Sequence, residues 1–251
     1  MQKQATLKLS KQCLEIGIML VAVFMAGCAA APTDSEYGRF EPLPGNSRIV
    51  LMPPDIRYYL MTAGGTPVLH DEWTAAAEQH FSDAMASLAT ELDLDITVLE
   101  RSDSSELALR YEGLHAAVGE AVITHFIDSL SLPSQSRNSV SNWTLGPGVS
   151  HIGSEQQADY GLFVHYRENQ PSGSRIAFAI LAAAAKISIP TGSEHGFASL
   201  IDLRTGDIAW FGILFDDGTE LREPEGASHV ASRLLNELPI GGSLARARES
   251  E

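Results

Sequence analysis

Cys28 is the residue of this chain whose surroundings specify a chemical fate. It ends the run Val23-Phe24-Met25-Ala26-Gly27-Cys28, in which small residues close an apolar segment. That is the form of a bacterial lipobox. Cleavage between Gly27 and Cys28, with acylation of the thiol and of the newly freed amine, would convert a secreted precursor into a membrane-tethered protein.

No other residues of the sequence are spaced for a recognisable reaction. Histidines stand at 70, 80, 115, 125, 151, 165, 195 and 229, without an HExxH motif, a Cys/His pair or another metal-ligand spacing. Ser199 sits in Phe-Ala-Ser-Leu-Ile, which lacks the flanking glycines of a nucleophile elbow. A triad of Ser199, His195 and Asp202 can be written down. On one strand, however, 195 and 199 share a face and 202 points to the other. Gly64-Gly65 and Gly146-Pro147-Gly148 lack the Gly-x-x-x-x-Gly-Lys pattern that cradles phosphate. Asp216, Asp217 and Glu220 read as a solvated acidic turn, without the alternating oxygens of a calcium loop. Asn142-Trp143-Thr144 matches a glycosylation acceptor by chance. The sequence therefore predicts no catalytic residue, no cofactor and no metal ligand, and no enzymatic activity is expected.

Charge narrows the partners. The 251 residues carry a formal charge of −15. Removal of residues 1–27 takes away Lys3, Lys8, Lys11 and Glu15, which leaves a mature chain at −17. Such a surface disfavours nucleic acid and electrostatic docking on anionic lipid, so membrane attachment is expected to come from the acyl chains. The basic residues precede an apolar stretch from Ile16, as in a signal peptide. Ile16 to Gly27 is only twelve residues, well short of the roughly 20 that cross a bilayer as a helix. Cys13 leaves with the signal and lipid consumes Cys28, so the mature chain folds without a disulfide.

The elements to either side follow from periodicity. Residues 28–47 have no helical or strand pattern and read as a lipidated amino terminus and tether, although Tyr37, Phe40 and Leu43 could equally dock onto the domain. As a coil, the tether spans about 20–25 Å. Ile49 to Met52 is a short strand closed by Pro53-Pro54. Apolar residues from Trp73 to Leu92 recur every three or four positions, which predicts an amphipathic helix. Residues 95–100 alternate as a strand. Asp103 and Glu106 form a cap-and-Glu pairing before a second helix, with Leu107, Tyr111, Leu114, Val118, Val122 and Phe126 as its apolar face. Ser134 to Asn142 is a loop, and Asp159 to Tyr166 a strand. Residues 176–187 are rich in alanine and read as a buried helix, in preference to a strand or membrane hairpin. Phe197–Leu203 and Ile208–Phe215 flank a turn and predict a hairpin. A last helix stripe runs from Ala227 to Leu238 and stops before Pro239. The fold class is α/β: a single domain over 48–239, a mixed sheet with helices packed on it, and a frayed tail at 240–251.

A family likeness rests on Ala158-Asp159-Tyr160, on Gly196 to Trp210, on Gly218 to Ala227 and on Leu234 to Pro239. In these segments the chain resembles uncharacterised bacterial periplasmic lipoproteins. Those are similar in fold to the curli-secretion lipoprotein and to the amino-terminal domain of TolB. The resemblance implies a binding or assembly role in the cell envelope with a protein partner, and it transfers no catalytic residue. Ala29 after the lipidated cysteine goes, in the lipoproteins it resembles, with the periplasmic face of the outer membrane. Two other expectations are a ring- or pore-forming secretion lipoprotein, from the apolar run at 176–189, and an envelope hydrolase.

Overall fold

The structure is a computed structural model that describes residues 43–44, 46–126, 140, 143–214 and 220–239. Gly27, Cys28, most of the tether, the polar stretch after Phe126, Asp216-Asp217 and the tail lie outside the described residues. Seven strands and five α-helices are present among those described. They are β1 (Ile49–Leu51), β2 (Asp55–Met61), β3 (Pro67–Leu69), α1 (Asp71–Glu91), β4 (Ile96–Val98), α2 (Glu106–Phe126), α3 (Ser150–Gln156), β5 (Tyr160–Pro171), α4 (Gly173–Ala184), β6 (Ser193–Asp202), β7 (Ile208–Ile213) and α5 (Pro224–Glu237).

All seven strands join one mixed sheet with β5 at its centre. β1 and β2 run in succession along one side of β5, both parallel to it, and β6 runs antiparallel along the other side with β7 outside it. Apolar residues on alternate strand positions face opposite ways, so the sheet carries two cores. Leu51, Ile56, Leu162, Val164 and Leu200 pack under α1 and α5; Val50, Phe163, Phe197, Ile201 and Phe211 pack under α2 and α3, with Val122 and Ile152. Helices on both faces of a mixed sheet give the α/β architecture that the sequence predicts.

A register shift between β1 and β2 decides which side chains meet under α2. Leu51 pairs with Leu162, but Asp55 pairs with His165, so three residues of one strand span two of the other. The extra residue falls at Met52-Pro53-Pro54, where prolines have no N–H to offer a ladder. A one-residue slip exchanges the faces of everything downstream. Ile56 and Tyr58 consequently point into the α1 core, while Asp55 and Arg57 come to lie beside His165 and Arg167 on the α2 side.

Several local expectations need correction. Asp103 belongs to a short 3-10 turn, and Ser105 caps α2 instead, its Oγ accepting from the Ala108 N–H at 3.3 Å. The inward stripe of α2 is rotated from the predicted one: Ala108, Glu112, His115 and Val122 are buried, whereas Leu114 is 41% exposed. Of the tether residues that could dock, Leu43 does: it is buried and donates its N–H to the Pro239 carbonyl. Strands β2 and β3 and helix α3 are not predicted by the sequence pattern. Residues 173–184 do form a helix, capped by Ser172 Oγ on the Arg175 N–H at 3.1 Å, but the helix is not buried.

Candidate functional site

Two features stand apart from ordinary core and surface: a polar network beneath α2, and the outward face of α4.

The network begins at Asp55, which is 4% exposed. Its carboxylate accepts from His165 Nδ1 at 3.0 Å, from Arg57 Nε at 3.0 Å and from Arg167 Nη2. Burial alone would push this carboxyl up, but the hydrogen bonds and charges of His165 and Arg167 outweigh it and hold it well below the usual carboxylate range. The other ring nitrogen of His165, Nε2, lies 3.7 Å from Glu120 Oε1, and the same oxygen is 3.2 Å from His195 Nε2. On the opposite flank Arg101 ties three elements together. It donates to Glu112 at 2.9 Å, to Glu78 at 3.0 Å and to the Pro54 carbonyl at 3.0 Å. Burial raises the Glu112 and Glu78 carboxyls above their ordinary range against the pull of Arg101.

α2 approaches the sheet closely enough to place Glu120 over β5 and β6 because residue 119 is glycine. A Cβ at this position would come within 1.9 Å of the Phe197 ring. Phe197 is itself fixed between His165, whose ring centroid is 4.8 Å away, and Phe211 at 5.6 Å.

Ser199 finds a histidine, though His115 and not the neighbouring His195. His115 Nε2 and Ser199 Oγ share a hydrogen bond of 2.9 Å, and the two residues are 2% and 1% exposed. His115 is enclosed by the rings of Phe163 and Phe197, each at 5.2 Å. Burial pushes its pKa down to about 3, so it is neutral at physiological pH and the pair acts as a polar tie in the core. Asp202 is elsewhere, accepting from the Arg204 and Thr205 backbone N–H groups in the β6–β7 turn. Glu220 is paired with Arg222, and Asp216 and Asp217 lie outside the described residues. Gly65, at φ +87°, sits in the β2–β3 turn against the Arg175 guanidinium, and Gly146, at φ +82°, packs on Gly206.

α4 is built inside out. Its inward residues are Arg175 and Ala182, 8% and 9% exposed, while Ile176, Phe178, Ile180 and Leu181 face outward at 45, 48, 66 and 71%. Arg175 holds the helix to the sheet by donating to the Ala63 and Pro190 carbonyls at 2.8–3.2 Å. On β3, Val68 and Leu69 are also exposed and line a cleft with Ser172 and Ser174 at the start of α4. No acidic residue occurs between 56 and 70 or between 169 and 193, in a chain otherwise dominated by carboxylates. None of the described helices is both long and apolar enough to cross a membrane.

No protein-family description, curated protein or solved structure matches this chain. The functional reading therefore rests on the fold, these two sites and the sequence motif at Cys28.

Proposed function

We propose that this is a lipid-anchored binding and assembly protein of the bacterial cell envelope. It is acylated at Cys28 on the periplasmic face of the outer membrane, with α4 and the β2–β3 turn seated in the bilayer surface. No catalytic role is assigned to it. The inverted α4 carries this proposal. An exposed helix normally turns its apolar stripe inward; here Ile, Phe and Leu point outward and arginine points inward, which suits an apolar medium outside. Exposed apolar patches of this kind mark protein or membrane contacts. Two features favour lipid. The acid-free segments remove the repulsion that the remaining surface would feel from anionic headgroups. The tether from Cys28 to Leu43 also keeps the domain within a few tens of ångströms of the leaflet, which raises the effective concentration of α4 there. At twelve residues and a rise of about 1.5 Å each, α4 is suited to lying in the interface.

The test uses the full chain in its own membranes. Trypsin cuts after Arg175 and Lys186, which isolates the outward part of α4 as a single peptide. With a lipid-soluble carbene reagent, peptide 176–186 should take up label severalfold above peptide 223–233 of α5, and Ile180→Asp with Leu181→Asp should abolish the excess. Label at the level of the α5 peptide would contradict the proposal. Labelling that appears only after transfer to pure lipid vesicles would also contradict it, since a protein would then be covering the helix in the native membrane.

A further inference from the structure

We propose that Glu120, His165 and His195 form a binding site for one divalent transition-metal ion of the zinc type. One carboxylate oxygen and one ring nitrogen from each of two histidines, on three separate elements, lie within 4.8 Å of one another. The Glu120 oxygen is 3.2 Å from one nitrogen and 3.7 Å from the other. Around a tetrahedral zinc with bonds of about 2.0–2.1 Å, neighbouring ligand atoms are roughly 3.3 Å apart. The side chains therefore need only small rotations to close on an ion.

Three further observations fit a metal site better than a chance cluster. First, His165 Nδ1 is hydrogen-bonded to the Asp55 carboxylate, which makes Nε2, 3.7 Å from Glu120 Oε1, the ring nitrogen available to an ion. A carboxylate behind a ligand histidine is the recurrent means of fixing its tautomer and ring orientation. Second, the ring of His165 is stacked on Phe197, so this nitrogen is presented rigidly. Third, the Glu120 and His195 side chains are 46% and 37% exposed while His165 is 6%. An ion can therefore enter from solvent, and a fourth position remains open to water or to a partner's donor, as in three-ligand zinc sites. Two imidazoles with one carboxylate suit zinc and its neighbours, whereas calcium and magnesium take shells of oxygen. The proposal is independent of the membrane anchor.

The full chain carrying Cys13→Ser and Cys28→Ser, so that no thiol competes, is purified in detergent and titrated with zinc by calorimetry. One ion per chain should bind, with an X-ray absorption spectrum that shows two imidazole ligands. His195→Ala and Glu120→Ala, both on accessible side chains, should retain the fold by circular dichroism and each weaken zinc by at least about tenfold. Asp55→Asn, a positioning variant, should weaken it about tenfold with the ligand set unchanged. His151→Ala, on the exposed surface of α3, should bind as the parent does. Failure to bind zinc at micromolar concentration would overturn the site. So would zinc binding that His195→Ala and Glu120→Ala leave unchanged.

Discussion

Asp55→Ala is expected to destabilise the domain by about 3–5 kcal/mol, the range for removing one partner from a buried ion pair. The cost comes mainly from the groups left behind without their acceptor. His165, 5% exposed, would retain an Nδ1–H without an acceptor, and Arg167, with a side chain 18% exposed, would lose its countercharge. Arg57 contributes less, being 35% exposed and having Glu112 within 3.9 Å. Glu106→Gln serves as the comparison. Its pair with Arg110 spans one helical turn with both side chains more than 70% exposed, and the change should fall below about 0.5 kcal/mol. Urea denaturation of the two variants and the parent checks both values. An Asp55→Ala variant within about 1 kcal/mol of the parent would show that the network contributes little to stability.

Gly119→Ala is expected to cost about 3 kcal/mol, at the upper end of overpacking penalties, although alanine is the better helix former. The added methyl would overlap the Phe197 ring at 1.9–2.6 Å. That ring has no exposed direction in which to turn, so α2 has to lift. At Gly113, six residues earlier on the same helix, a Cβ would have no neighbour within 4 Å. There the same substitution should stabilise by about 0.5–1 kcal/mol through helix propensity. Opposite signs at two glycines of one helix, read from thermal melts, would confirm close approach at one point. Equal effects at both would contradict it.

What the sequence could and could not disclose follows from which forces leave a local pattern. α1, α5 and the β6–β7 hairpin are legible because each buries a continuous apolar stripe at its own period. β2 is not, because its inward residues toward α2 are Asp55 and Arg57, and charges at core positions erase the alternation that marks a strand. The same polar cluster displaces the stripe of α2, where Glu112 and His115 occupy positions that a hydrophobic count assigns to the surface. α4 is legible as a helix from its alanines and the Ser172 cap, but its orientation is not, since its inward side is arginine and alanine. The proposed metal ligands are separated by 45 residues from Glu120 to His165 and by 30 from His165 to His195, so no spacing motif joins them. Only the antiparallel register, in which His165 pairs with Phe197 and Arg167 with His195, brings the two rings to one face. The alternation Phe163-His165-Arg167 beside His195-Phe197-Ser199 is the signal that could reveal them, once the pairing of these strands is known.

The proposed anchor at Cys28 is the premise on which location and membrane orientation both depend. Mass spectrometry of the amino terminus of protein extracted from native membranes tests it directly. The chain should begin at Cys28, with a diacylglyceryl thioether on its sulfur and an amide-linked acyl group on its nitrogen, and Cys28→Ser should carry neither. A membrane-extracted chain that retains residues 1–27, or that begins at Cys28 with a free thiol and amine, would contradict the account.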